Sequence, residues 1–168
     1  MPWLFKTEPD TFSFADLLAA PRQTTLWEGV RNYQARNFLR ASRLGDPVLV
    51  YHSSTQPAGV AGLGVVSRET EPDPAQFDPD SPYYDPKATP DTPRWDAVEV
   101  RAVQAAAHYV TLAELRDEPA LGDLRLLQRG NRLSVMPVSE GELQVILKLT
   151  GITVPTSVTA TVPVKEPL

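Results

Sequence analysis

Trp27-Glu28-Gly29-Val30-Arg31-Asn32-Tyr33-Gln34-Ala35-Arg36-Asn37-Phe38 sets an aromatic, a glycine turn, an arginine and an amide side by side, then opens a helix. Asn32 is a good N-cap, because its side-chain oxygen can take an orphan amide of the first turn. Ala35, Phe38 and Leu39 follow at helical spacing. At about 100° per residue they share one face, and Arg36, Arg40 and Arg43 form an adjacent stripe. The loop carries the unusual chemistry. The helix is its mount, a common arrangement for binding groups.

Upstream of this stretch, residues 2–6 read as a short strand, and Ser13 with Asp16 forms a capping box that opens a helix stopped by Pro21. Downstream, Gly45-Asp46 turns into a buried-type strand at 47–52, and a second strand covers 59–66. Gly59, Gly62 and Gly64 have the wrong spacing for a phosphate cradle and no helix follows them. Glycines inside a strand fit the sharp bends of a small barrel. From 71 to 93 the chain holds seven prolines (72, 74, 79, 82, 86, 90, 93) and many aspartates, which excludes regular structure. Phe77, Tyr83 and Tyr84 lie within it, so the expectation is an ordered loop pinned by aromatics.

A strand at 95–103 follows, then a capping box of Thr111 and Glu114 closed by Pro119, and a turn or two at 121–127. Residues 133–136 form a short strand ended by Pro137, and a last capping box, Ser139 with Glu142, opens a helix that Gly151 ends. Strands and short helices interleave with no βαβ rhythm, which predicts an α+β fold: a curved mixed sheet or small barrel flanked by helices. Residues 1–150 are expected to form one domain. Residues 151–168 read as a Thr/Val/Pro-rich tail with little to pack against.

The chain of 168 residues, 42% apolar, suits a single core. It shows no membrane-length apolar run and no signal-peptide pattern, and a cytoplasmic location is expected. With no cysteine, disulfides, thiolate metal sites and a thiol nucleophile are excluded. The net charge of −5 is unevenly placed. Residues 20–45 hold Arg22, Arg31, Arg36, Arg40 and Arg43 against Glu28 alone, whereas 69–99 are strongly acidic. A local basic patch can meet a phosphate backbone on an acidic protein, although an arginine stripe is also an ordinary solvated helix face.

Four separated motifs carry a family resemblance: 3–10 (Trp3-Leu4-Phe5-Lys6-Thr7-Glu8-Pro9-Asp10), the stretch 27–38, Gly45-Asp46 leading to Tyr51-His52-Ser53, and 132–138 (Arg132-Leu133-Ser134-Val135-Met136-Pro137-Val138). Phe77-Asp78-Pro79, residues 81–87 and Pro93-Arg94-Trp95 lie between them. In this order they closely resemble the EVE domain of the PUA-like superfamily (the thymocyte nuclear protein family), over about residues 2–150. The resemblance implies a PUA-like mixed β pseudo-barrel of five or six strands flanked by short helices, with a concave pocket. It further implies a reader of modified bases in nucleic acid, methylated or hydroxymethylated cytosine among them, in DNA or RNA.

A base lifted from its stack needs aromatic faces and hydrogen bonds to its edge. Each aromatic stack is worth roughly 1–3 kcal/mol per base. Trp27 and Trp95 are the candidate walls, with Tyr51 behind them, while Trp3 reads as core. Asn32 offers a donor and an acceptor, in competition with its capping role. Lys6 and Glu8, two apart on an extended segment, face the same side and read as a binding corner or a surface pair. Ser53 and Ser134 are small hydroxyls suited to phosphate or base-edge bonds, or to turn chemistry. Arg31 and His52 complete the candidate binding set, with Arg36, Arg40 and Arg43 as phosphate contacts.

No catalytic residue, metal site or cofactor is expected. Ser53 cannot serve His52 as nucleophile, since strand neighbours point to opposite faces, and His108 is the only other histidine. The expected partner is a nucleic acid carrying a modified base. Two alternatives stay open: a metal-dependent nuclease or hydrolase acting on nucleic acid through the loop aspartates, and a protein-interaction domain using the Pro/Asp-rich loop.

Overall fold

The computed structural model describes residues 1–153. In chain order it contains β1 (Trp3–Thr7), α1 (Phe14–Ala19), β2 (Thr24–Trp27), α2 (Tyr33–Ala41), β3 (Pro47–His52), β4 (Gly59–Pro72), β5 (Asp96–Thr111), α3 (Leu112–Asp117), β6 (Val135–Pro137) and α4 (Glu140–Thr150), joined partly by short 3-10 turns. All three predicted capping boxes form: Ser13 with Asp16, Thr111 with Glu114, and Ser139 with Glu142. Asn32 caps α2 by accepting from the Ala35 amide (3.0 Å). Ala35 and Leu39 of α2 are buried, so the apolar face read from the sequence is the one that packs. Among the described residues no helix is long and apolar enough to cross a membrane.

The six strands form one mixed sheet in the order β2-β5-β4-β3-β1-β6. Only β1 and β3 run parallel, Trp3 to Thr7 against Val48 to His52. β4 and β5 extend well past the predicted 59–66 and 95–103. The added residues, 67–72 of β4 and 104–111 of β5, are held by ladder pairing, as in Arg68 with Glu99 and Gly59 with Thr111. β2 was not expected at all. It is four residues long and earns strand geometry only by pairing Thr24–Trp27 with Arg101–Val98 of β5.

The α+β fold with one mixed sheet of six strands is the expected one, but its barrel is not closed. β2 and β6 are the two sheet edges and do not pair with each other, so the sheet is open. It nevertheless wraps around one core. Phe5 of β1 packs on Trp27 of β2, with ring centroids 5.4 Å apart, although the two strands lie near opposite ends of the sheet. Register shifts along β4 and β5 supply the bends. Gly62 of β4 serves a packing purpose: a Cβ there would lie 2.5–2.7 Å from the Phe14 ring, so its absence seats α1 on the sheet.

The proline-rich segment is ordered, and buried hydrogen bonds through Asp73 and Gln76 fix it together with the Tyr83 contact at Gly29. Residues Pro74–Phe77 form a 3-10 turn capped by Asp73. Asp73 is fully buried, and one carboxylate serves both sides of the structure. Its Oδ1 accepts the Ala75 amide (2.7 Å), while Oδ2 accepts the Gly29 amide (2.8 Å) and Arg31 Nη1 (2.9 Å). Gln76, also fully buried, donates to the Asp73 and Trp95 carbonyls and accepts the Arg94 and Trp95 amides. Every buried polar atom of this junction is therefore paired, as a dry interior demands.

The tail assignment also shifts. Gly151 ends α4 in the left-handed region (φ 71°), but Ile152 is 4% exposed and belongs to the core, so the folded unit reaches beyond residue 150. Residues 154–168 lie outside the described residues.

Two substitutions test this packing. Gly62→Ala pushes a methyl into the Phe14 ring and is expected to cost about 1–3 kcal/mol in urea unfolding; a smaller ring site, Phe14→Leu, should recover part of that loss in the double variant. Asp73→Asn leaves Arg31 without its carboxylate and is expected to cost about 3 kcal/mol. In limited proteolysis it should expose the 78–92 segment at denaturant concentrations where the sheet is still folded.

Candidate functional site

The open side of the sheet is where the structure builds a site. β2 brings Thr25, Leu26 and Trp27, and the end of β1 brings Lys6 and Thr7, followed by Glu8. Two backbone hydrogen bonds pull the remaining wall into place: the Lys6 amide donates to the Ser134 carbonyl (2.8 Å), and the Ser53 amide donates to the Thr7 carbonyl (2.9 Å). The cavity so formed has a volume of about 620 Å³, within the range of small-ligand sites. Thr11, Phe12, Glu28, Gly29, Val30, Ser54, Tyr83 and Arg132 complete its lining. It occupies the gap that a closed barrel would have filled.

Trp27 is the floor of this cavity. The residue is 8% exposed, and its ring rests on Phe5. The other two tryptophans have their indole N–H groups taken, Trp3 by Asp46 (2.9 Å) and Trp95 by Asp85 (2.8 Å). Among the described residues the Trp27 N–H meets no acceptor, and no buried side-chain nitrogen or oxygen is left unpaired. Trp27 lines the cavity, so an indole N–H without a protein acceptor is available there as a donor.

The mouth is set by the Gly29 turn. Gly29 has φ +83°, and a Cβ there would lie 2.8 Å from the Tyr83 ring, so glycine serves both the turn and the close approach of the tyrosine. Tyr83 is held by Arg31, whose Nε and Nη2 both donate to the Tyr83 carbonyl (3.0 and 2.7 Å). The same guanidinium lies over the Tyr83 and Trp95 rings at 5.7 and 5.4 Å.

Charges of both signs meet in the cavity. Burial holds the Lys6 ammonium below its ordinary pKa. Partial burial and the nearby Asp73 carboxylate push the Glu28 carboxyl above its ordinary value, with Arg31 opposing. The result is an aromatic floor ringed by donors (Lys6, Ser53, the Trp27 N–H, Arg132) and acceptors (Glu8, Glu28). Such a set suits a flat heterocycle with a mixed hydrogen-bonding edge.

Of the residues picked from sequence, the structure brings Lys6, Glu8, Trp27, Ser53 and Ser134 together here. The rest are elsewhere. Trp95 is buried, stacks on Tyr33 (4.8 Å) and does not face Trp27. Tyr51 is buried in the core, where burial pushes its hydroxyl pKa up. His52 Nε2 accepts the Phe14 amide (3.1 Å), and burial lowers its pKa, which keeps the ring neutral and occupied as the anchor of α1. Arg31 is a bracket for Tyr83 and Asp73, behind the cavity wall. Asn32 opens onto a neighbouring groove instead.

The arginine stripe of α2 is mostly committed internally. Arg36 donates to the Arg94 carbonyl (2.9 Å) and covers the Tyr33 ring. Arg40 pairs with Asp96. Arg43 reaches only the Arg40 and Ser42 carbonyls at 3.5 Å, and none of the three lines the cavity. Sequence reasoning passed over Glu28 and Tyr83 as site residues. Glu28 was visible between Trp27 and Gly29 in the opening stretch, whereas Tyr83 had no local signal linking it to a turn 54 positions earlier. Among the described residues no three His, Cys, Asp or Glu side chains gather as a metal site.

The chain matches the model of the EVE domain over residues 2–149. Human thymocyte nuclear protein 1 is 40% identical over 163 residues, which span 88% of this chain and 72% of the human protein. A Pseudomonas putida protein of known crystal structure superposes with a TM-score of 0.86 at 45% identity, covering 89% of this chain and 99% of that one. The crystal structure of human THYN1 protein in complex with 5-methylcytosine-containing DNA superposes with a TM-score of 0.84 at 40% identity, covering 88% of this chain and 96% of that chain. With a match across nearly its whole folded length, this chain belongs to the EVE domain family.

Proposed function

We infer that this protein is a non-catalytic DNA-binding module that takes a modified base, 5-methylcytosine or a close analogue, into the cavity floored by Trp27. One observation carries the reading: among the described residues Trp27 alone of the three tryptophans has no acceptor on its indole N–H, and it lines a cavity of about 620 Å³ ringed by donors and acceptors. Support comes from the 40%-identical human structure with 5-methylcytosine-containing DNA.

The roles divide by chemistry. Trp27 offers a stacking face and a donor, a combination that compensates a base for leaving its stack. Glu28 is placed to accept from the exocyclic amine of cytosine, the acceptor role that carboxylates play toward that base. Lys6, Ser53 and Ser134 supply further edge contacts, and Tyr83 closes the mouth. The reading contains no chemical step. His52, the histidine nearest the site, has its Nε2 occupied by a backbone amide and does not face the cavity.

Quenching of tryptophan emission by 5-methylcytosine DNA or its nucleoside is the direct test. Trp27→Phe keeps the ring packed on Phe5 but removes the N–H; it should abolish the quench and weaken binding about fivefold by calorimetry. No response from wild type to methylated, hydroxymethylated or unmodified DNA and RNA would sink the reading.

Glu28→Gln separates binding from stability. A carboxyl whose folded-state pKa is raised loses stability as pH climbs through its unfolded value, near 4.3, toward the folded one. The glutamine variant should therefore unfold at neutral pH no more easily than wild type, and the pH 4–7 branch of its stability curve should flatten. Its affinity for the modified base should nevertheless fall about tenfold.

A further inference from the structure

A second concavity of about 500 Å³ lies against the first, between the start of α2 and the loop that leads into β6. Asn32 and Gln34 form one side, and Arg125, Arg129, Asn131 and Arg132 the other. No acidic residue lines it, on a chain whose net charge is −5. Among the described residues none of the three arginines has a carboxylate partner within 4 Å, in contrast to Arg31, Arg40, Arg68 and Arg94.

The loop that presents them is pre-shaped. Asn131 Nδ2 donates to the Arg125 carbonyl (2.8 Å), and Asn131 Oδ1 accepts the Leu133 amide (3.0 Å). Gly130 adopts φ +78°, the left-handed turn between Arg129 and Asn131. Arg125 lies over the Phe38 ring at 5.3 Å, which steadies its guanidinium. Across the groove, Asn32 has its side-chain oxygen committed to the α2 cap, and its amide nitrogen can only donate. Arg132 lines both the groove and the base cavity, so the two are one continuous surface.

We propose that this groove holds the sugar-phosphate backbone of the DNA strand that flanks the base in the cavity, with Arg125, Arg129 and Arg132 as the phosphate clamps. The proposal rests on the reading of the cavity as a base site. Arginine donors with no carboxylate among them are what an anionic, base-independent partner requires, and the arginine fork matches phosphate oxygens. Continuity through Arg132 selects DNA over an acidic protein, because a strand whose base lies in the cavity must pass across this edge. It also reassigns the phosphate contacts from the α2 stripe, whose Arg36 and Arg40 are already engaged.

The test is the salt dependence of binding to a short 5-methylcytosine duplex, for wild type, Arg129→Gln and Arg125→Gln/Arg129→Gln. Each phosphate contact contributes about −0.9 to the slope of log K against log salt, so the slope should fall by about one per arginine removed. Binding of the uncharged 5-methyldeoxycytidine nucleoside should stay at the wild-type level. Arg129→Glu guards against loss of Arg125 packing: this side chain is exposed, and charge reversal there should weaken duplex binding more than tenfold without changing the melting temperature. Variants that bind the duplex with the wild-type slope would overturn the clamp while leaving the base site standing. A wild type that binds the nucleoside but not DNA overturns it too. If wild type binds neither, the base-site reading fails and the clamp falls with it.

Discussion

A single buried carboxylate holds the functional half of this molecule together. Asp73 accepts the Gly29 amide, the Arg31 guanidinium and the Ala75 amide at once. Taking a carboxylate out of water costs several kcal/mol, and only a partner charge with full hydrogen bonding offsets that cost. Here Arg31 supplies the charge and two backbone amides supply the rest. Because the donors come from a turn more than 40 positions away, the contact fastens the Trp27 turn to the proline-rich segment. Arg31 then passes the constraint on to Tyr83 through two hydrogen bonds to its carbonyl.

The cavity follows from an incomplete sheet. Had β2 and β6 paired, their backbone groups would have filled the space that Trp27, Lys6 and Ser134 now border. Instead the sheet wraps only until Phe5 meets Trp27, and the gap between the two edges stays open to solvent. Edge strands expose unpaired backbone groups, and proteins manage them by keeping them short or covering them. β2 and β6 are four and three residues long, and the loop that carries Tyr83 approaches the β2 edge at Gly29. The same features that protect the edges therefore frame the site.

Charge is arranged by segment rather than by total. The arginines of α2 are engaged locally: Arg36 reaches the Arg94 carbonyl, and Arg40 pairs with Asp96 at the start of β5. Arginines of the loop before β6 have no such neighbours among the described residues. Counting arginines along the chain points to α2, whereas the three that share one concavity without an acid, Arg125, Arg129 and Arg132, lie in the loop before β6.

What the sequence determined by itself was the local structure and the family. Capping boxes at Ser13, Thr111 and Ser139, the Asn32 cap and the Gly151 stop all depend on contacts three or four residues apart, so each was legible before any fold was known. The stretch from Trp27 to Phe38 already contained Trp27, Glu28 and Gly29 in their working order. Tertiary structure alone decided the rest. It made β2 a strand, lengthened β4 and β5, left the barrel open, and sent Trp95, Tyr51 and His52 to packing duties. It also chose Asp73 among nine acids of its region as the one to bury. These outcomes rest on contacts between distant positions, from Pro72 with Asp96 to Thr24 with Arg101, and a one-dimensional pattern carries no record of which distant donors will converge on one carboxylate.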